Sequence, residues 1–489
     1  MTSCWPTTSG ADDAVAGAPA AAPADDRHLE RSLDHGQMAM IAMGSALGTG
    51  LFLGTGAAIG VAGPAVIITF AIGALIAACI ALTMGEMASR HPVRGGFGTL
   101  AAHYLSPFWG YLTRWLYWIV TVGVTGAELV AASTYLTYWL PSLRLEIGIA
   151  LCAALIIAVN LVSVGSFGAI EFVLSSIKVI AVVVFLIVGL ILVFVGLPSA
   201  PAPGLANLTN DGGFAPNGLA AIWVALSIVM FSFGGIELLS ITAAEAKDPA
   251  RSIRTAAQST IIRLAVFYVL AVTIVVALVP WREAAGTGDD VAASPFVLVF
   301  DRIGVPAAAS LTNALVLIAA LSAANANLYA GSRMLQSLAV DGLAPRWLAG
   351  LSRRRVPVRG LIVSTVGIVV AALLAFTGVG NVFGYMISLV VFSILLVWAL
   401  ILVTFLVYRR RGVTGATFHV PAGPVVAIVG LIGVAAVVAT VAVVPDMRVA
   451  AMVGVPAVIV ASVLYVLVAR HRLDPAEIEH AFEEAERLR

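Results

Sequence analysis

Gly44-Ser45-Ala46-Leu47-Gly48-Thr49-Gly50 lies inside an apolar run from about Met38 to Val61, long enough to cross a bilayer. Three glycines and two hydroxyl residues in seven positions weaken a helix there. Backbone left unpaired in lipid is costly, so a break at that depth must be buried in protein or line a wet cavity. Two readings follow. In one, a broken helix binds an anion through its freed amides and the positive start of its second half. In the other, an unbroken helix packs closely through small residues. Phe231-Ser232-Phe233-Gly234-Gly235-Ile236-Glu237 interrupts a second run, from about Leu219 to Ala243, and favours the first reading. Two interrupted helices, one opening each half of a repeat, point to an inverted-repeat transporter.

Composition agrees with a polytopic membrane protein. Of 489 residues, 61% are hydrophobic and 11% charged, against about 25% charged in a soluble domain. Mean hydropathy is +1.03. A net charge of +1 without a basic patch argues against nucleic acid as a partner. Cys4, Cys79 and Cys152 are scattered and form neither a disulfide frame nor a metal site. Residues 1–36, rich in Ala, Pro, Asp and Ser, have no signal-peptide core and read as a disordered cytoplasmic tail.

Apolar runs of spanning length recur twelve times. They fall near 38–61, 64–87, 108–139, 146–164, 170–197, 219–243, 258–280, 305–337, 358–377, 381–408, 421–444 and 449–469. Alternate connections hold Arg90 and Arg94; Lys247, Arg251 and Arg254; Arg346, Arg353, Arg354, Arg355 and Arg359; and Arg409, Arg410 and Arg411. The opposite set holds only Arg144, Arg282, Arg302 and Arg448. That asymmetry places both termini in the cytoplasm. Asn207-Leu208-Thr209 is a glycosylation sequon, without meaning in the bacterial gene that the Ala-rich, Arg-over-Lys usage suggests. After Arg472 the pattern predicts a soluble helix, with Asp474 as cap, Pro475 first, Glu477 closing a capping box, and Ile478, Phe482 and Ala485 on one face.

Ionisable residues at membrane depth are functional candidates. Lys178 lies about eight residues inside the fifth run; it either snorkels to the surface or faces the bundle, replacing a cation and exchanging a proton. Glu128, midway along the third run, has no snorkelling route and needs a partner or a proton. Glu237 follows the second break, where it can satisfy freed backbone groups or line a cavity. Structural hydrogen bonding is the plainer role for both glutamates. Glu86, Arg114, Glu171, Glu245, Arg263 and Arg333 sit near span ends and read as inner ion pairs or surface anchors. Trp115, Trp118, Trp139, Trp281 and Trp347 read as interface belts.

The amides of Gly48, Thr49 and Gly50, with Ser45 beside them, suit a carboxylate. The carbonyls of Phe231, Ser232 and Phe233, at the negative end of a half-helix next to Gly234, suit an ammonium. Together they fit an α-amino acid zwitterion, whose side chain would point at the second break and at spans three, eight and ten. With no GxxxxGK[ST] in the chain, energy would come from an ion gradient or from exchange. Lys178, Glu128 and Glu237 are the candidates for proton coupling.

Those stretches, with Gly85-Glu86-Met87, Ala127-Glu128-Leu129, Phe167-Gly168-Ala169-Ile170-Glu171-Phe172, Ile177-Lys178-Val179, Ser294-Pro295-Phe296 and Asn325 to Leu335, resemble the amino acid–polyamine–organocation superfamily. Within it they look like the bacterial amino acid transporter family of proton symporters. The resemblance runs in order over about residues 33–410. It implies an all-α membrane protein of 12 transmembrane helices with a 5+5 inverted-repeat core of the leucine-transporter type. Helices 1 and 6 would be broken, and two helices would follow the core. The substrate carboxylate would meet the first break and its amine the second. Lys178 would hold a former sodium position between spans one, five and eight, and Glu128 matches an acidic residue frequent in this branch. Where many members read Gln-Gly-Thr-Glu, this chain reads Gly234-Gly235-Ile236-Glu237, so the substrate's side chain does not carry over.

The expected organisation is a tail over 1–36, a core over 37–410, two further spans over 411–470 and a cytoplasmic tail helix over 471–489. The expected function is import of an L-α-amino acid across the plasma membrane by proton symport, without a cofactor and without enzymatic activity. The alternatives are an obligate amino acid exchanger and, from another class, a transporter-like sensor.

Overall fold

The computed structural model describes residues 33–162, 164–196, 201–286, 294–302, 308–378, 382–413, 415–443, 448–473 and 475–487. The N-terminal tail up to residue 32, Cys4 and the proposed cap Asp474 lie outside the described residues, as do the side chains of Ser45, Arg263 and Ala485.

The elements in chain order are α1 (His35–Ala46), α2 (Thr55–Ala62), α3 (Val66–Arg90), α4 (Gly96–Tyr104), α5 (Pro107–Thr137), α6 (Leu145–Val162) and α7 (Val164–Phe194). There follow α8 (Ala220–Ser232), α9 (Leu238–Thr242), α10 (Pro249–Arg263), α11 (Ala271–Leu278), α12 (Trp281–Ala284), α13 (Pro295–Arg302) and α14 (Ala308–Val340). The chain closes with α15 (Val358–Ser364), α16 (Val366–Phe376), α17 (Val382–Arg410), α18 (Gly423–Val443), α19 (Arg448–Leu467) and α20 (Pro475–Arg487). Among the described residues the only β pairing is an isolated bridge between Leu33 and Ala246.

Nine of the helical runs among the described residues are long and apolar enough to cross a membrane. The count falls below twelve because the breaks and π turns divide some runs and join others. Gly50–Arg90 is one run of 41 residues, roughly 60 Å of helix and about twice the thickness of bilayer hydrocarbon. The left-handed Gly63 (φ +60°) and Pro64 divide it between α2 and α3. Ala220–Ser232 and Val266–Leu278 are shorter apolar helices. The first ends at the second break, and the second begins within a π turn over Leu264–Leu270.

Burial sorts the spans by position. In α5, 78% of the most apolar window is buried, against 6% in the run containing α19. At the centre, α5 packs on α14 and α17, while α1 packs on α7, α10 and α14. The outer helices expose rows of branched aliphatic residues, such as Ile180, Val184, Ile187 and Ile191 on α7. These face outward because hydrocarbon solvates them as well as a protein core does.

Candidate functional site

Both apolar runs are interrupted where the glycines lie. The first stops after Ala46, bends at Leu47 and Gly48, and resumes through a π turn over Gly50–Gly54 into α2. The second stops at Ser232, turns through Phe233 to Glu237, with Gly235 at φ +97°, and resumes as α9. Close approach requires glycine at Gly50. A Cβ there would stand 2.8 Å from the Ser232 Cα, a backbone atom that cannot swing away. The two breaks touch, and a bridge from Leu33 to Ala246, beyond α9, ties their chains again, with Leu33 N–H donating to the Glu245 carbonyl at 3.1 Å.

Each end of the first break meets an opposite charge. The carbonyl end of α1 receives Lys178, whose Nζ donates to the Gly44 carbonyl at 2.5 Å and to Ser322 Oγ at 2.8 Å. The amide end receives Glu128, which accepts from Thr49 N–H at 3.2 Å on Oε1 and 3.4 Å on Oε2. This is the arrangement helix dipoles favour. A Cβ on Gly48 would sit 2.6 Å from Glu128 Oε1 and would push that carboxylate off its place beside the break. Lys178 is only 2% exposed and does not snorkel.

Of its two expected places, Glu171 takes the ion pair and not the surface anchor. It is fully buried, 4.0 Å from Lys178 Nζ. It accepts from Ser175 Oγ at 3.0 Å, from Asn325 Nδ2 at 3.3 Å and from Ser322 Oγ. Asn160 extends the chain by donating to Asn325 Oδ1 at 2.7 Å. Glu171, Ser175 and Lys178 are spaced four and three apart, one stripe of α7, a signal present in the sequence but unused.

At the second break the Glu237 carboxylate accepts from Gly235 N–H at 3.1 Å and from the Trp398 indole at 3.3 Å. Tyr117 bonds to it as well. Ser232 keeps its carbonyl on the Tyr268 hydroxyl at 2.9 Å, and the Phe231 carbonyl accepts from Gly234 N–H at 3.1 Å. Both carbonyls retain a second lone pair. Phe233 turns away: its ring is buried against Phe70 and Tyr268, so it shapes the break from behind.

Between the breaks lies a narrow cavity of about 30 Å³. Gly48, Gly50, Glu128, Phe231, Ser232, Gly234 and Glu237 line it, all of them singled out in the sequence. Val120 and Val124 of α5, Ala323 and Asn327 of α14, and Val390 and Ile394 of α17 complete the wall with Gly235. The three spans, the third, eighth and tenth runs, were the expected ones, but the residues were not, since nothing distinguishes them from neighbours in uniformly apolar runs. Ser232 Oγ is buried without a hydrogen-bond partner among the described residues, a donor and acceptor facing a space that could hold one.

Several ion pairs join the spans beyond the cavity. Arg333 pairs with Glu245, which also accepts from the Tyr329 hydroxyl, and the Arg333 guanidinium lies 3.3 Å from the Tyr329 ring centre. Arg114 and Arg94 meet Asp341 at 2.6 and 3.3 Å, and Arg409 meets Glu86 at 2.8 Å. Trp281 is no interface belt: it is 6% exposed, its indole donating to the Asp211 carbonyl at 2.9 Å.

A helical membrane protein with a polar chamber enclosed between two interrupted helices is the class that this geometry defines. The amino acid permease family model matches residues 37–474. The chain is 39% identical over 382 residues to the aromatic amino acid transport protein AroP of Escherichia coli (strain K12), covering 78% of this chain and 82% of AroP. It is 34% identical over 436 residues to the probable threonine/serine transporter YbxG of Bacillus subtilis (strain 168), covering 88% and 93%. It is 33% identical over 433 residues to the amino acid permease YtnA of the same organism, covering 88% and 92%. The fold is similar to that of Mhp1, a nucleobase-cation-symport-1 family transporter solved closed with bromovinylhydantoin bound. The TM-score is 0.53 at 18% identity, over 87% of this chain and 94% of Mhp1. The chain belongs to the amino acid permease family.

Proposed function

We propose that the chain imports a neutral L-α-amino acid across the bacterial plasma membrane by proton symport with alternating access. The substrate ammonium would use the free lone pairs of the Phe231 and Ser232 carbonyls, and its carboxylate the amides of the first break. Its side chain would lie along Val120, Val124, Val390 and Ile394, where an uncharged group fits without a desolvation penalty. The names of AroP and YbxG support an aromatic or small hydroxylated amino acid as the first ligands to try.

The observation that carries the proposal is the Glu128 carboxylate on the Thr49 amide, at the wall of the cavity. A substrate carboxylate and an ionised Glu128 have the same charge and compete for one donor. A proton on Glu128 removes the conflict, so substrate and proton arrive together. Lys178 and Glu171 sit behind the same break, where a proton exchanged between Nζ and the carboxylate would change the attraction joining spans one, five and eight. Glu237 remains a structural brace of the second break in this scheme.

The same reading includes twelve crossings, ten in a five-plus-five inverted repeat over 37–410 and two over 411–470, a tail helix over 471–489, and both termini in the cytoplasm. It is tested by uptake of L-phenylalanine and L-threonine into proteoliposomes with and without an inward proton gradient. Accumulation that follows the gradient supports symport. Uptake that needs internal amino acid and ignores the gradient would replace it with exchange.

A further inference from the structure

Far from the chamber, a cavity of about 610 Å³ opens between the end of α14 and the end of the last span. Gly342, Ala344, Pro345 and Arg346 form one wall, and His471, Arg472 and Leu473 the other. Among the described residues no carboxylate lines it. The carboxylate next to it in the chain, Asp341, is held by Arg94 and Arg114. Neither the Arg346 nor the Arg472 guanidinium has an ion-pair partner among the described residues. Two planar guanidiniums on opposite walls make a site for a phosphate oxyanion, which accepts two parallel hydrogen bonds from each.

The surroundings choose the source of that phosphate. The cavity is much larger than an inorganic ion and within the range of small-molecule sites. Trp347, beside Arg346, is 51% exposed, as an interface tryptophan should be. Val460, Leu464 and Leu467 of α19 are exposed on one face that leads to the cavity. That face can carry an acyl chain while the headgroup enters between Arg346 and Arg472.

We propose that this cavity binds the headgroup phosphate of an anionic phospholipid, bracing the end of α14 against the last span. α14 carries Ser322 and Asn325 of the lysine network and Asn327 of the chamber, so the brace acts on a helix that lines the site.

The test uses the full chain in nanodiscs of phosphatidylcholine, with and without phosphatidylglycerol, read by unfolding midpoint and by lipid retained in native mass spectrometry. Wild type should retain phosphatidylglycerol and gain in midpoint. R346Q/R472Q should retain it about thirtyfold less and lose the gain, as expected for removing two charges worth about 1 kcal/mol each. R353Q/R354Q, altered at exposed arginines outside the cavity, should match wild type. Equal losses in the two double variants would reduce the effect to general surface charge and overturn the site. An equal midpoint gain from inorganic phosphate in pure phosphatidylcholine would overturn the lipid as its ligand. That wild-type comparison decides between the sources even if R346Q/R472Q does not fold.

Discussion

Glu128 and Lys178 make the same kind of contact with opposite signs, one at each side of a gap in helical hydrogen bonding. Glu128→Gln keeps an acceptor for the Thr49 amide and removes the charge that competes with substrate. It should bind amino acid with an affinity independent of pH between 5 and 8, and fail to accumulate it against a gradient; binding and proteoliposome uptake at those pH values check this. Lys178→Ala should keep measurable binding and lose gradient-driven accumulation, and Lys178→Arg should do no better because a guanidinium does not release its proton in this range. Undiminished accumulation by Lys178→Ala would place coupling on Glu128 alone. Gly50→Val should abolish binding. Its Cβ presses on the Ser232 backbone, so bulk there pushes the two breaks apart rather than only covering the amides. Glu171 shows where residue-level reading stops short: its distance from the span end suggested a surface anchor or an inner ion pair, while its helical spacing to Lys178 held the better clue.

Among the elements, the interrupted helices were legible because glycine and hydroxyl residues stand out against an apolar run. The residues of the chamber's other walls were not, because Val120, Val390 and Ile394 differ from their neighbours only in the direction they face. The tail helix α20 was legible from its apolar face, and its partner was not. Phe482 stacks on His103 of α4, ring centres 4.1 Å apart, and meets His91 edge-on at 4.9 Å. Arg90 pairs with Glu486 at 2.9 Å. Burial against these rings lowers the His103 pKa from its ordinary value, and Arg411 lowers it further, opposed by Glu479. A histidine with a lowered folded-state pKa stabilises docking above its ordinary titration range, near 6.5, and that contribution is lost as pH falls below it. Amide exchange in α20, taken relative to the intrinsic rate at each pH, should therefore quicken between pH 7 and 5. Phe482→Ala should quicken it at pH 7 by several-fold, as expected for losing aromatic contacts worth about 1 kcal/mol. Exchange in α20 indifferent to both changes would remove His103 and Phe482 from the docking.

On the scale of the whole molecule, hydropathy foresaw a polytopic bundle, and similarity to known permeases established the family. The number of crossings was harder to read, because the turn at Gly63 leaves two spans in one apolar run while the second break divides another. Orientation has a direct test. A cysteine introduced within residues 201–216 should react with an impermeant reagent added to intact cells, since that loop carries no Lys or Arg. Reaction only after permeabilisation would invert the topology.

The central claim is that a proton on Glu128 clears the first break for a substrate carboxylate. Calorimetry of amino acid binding to the purified chain, repeated at pH 7 in buffers of different ionisation enthalpy, counts protons taken up per ligand. The account predicts net proton uptake by wild type, up to one per ligand, and none by Glu128→Gln, with both proteins binding. Binding by wild type without proton uptake, or the same uptake by Glu128→Gln, would contradict it.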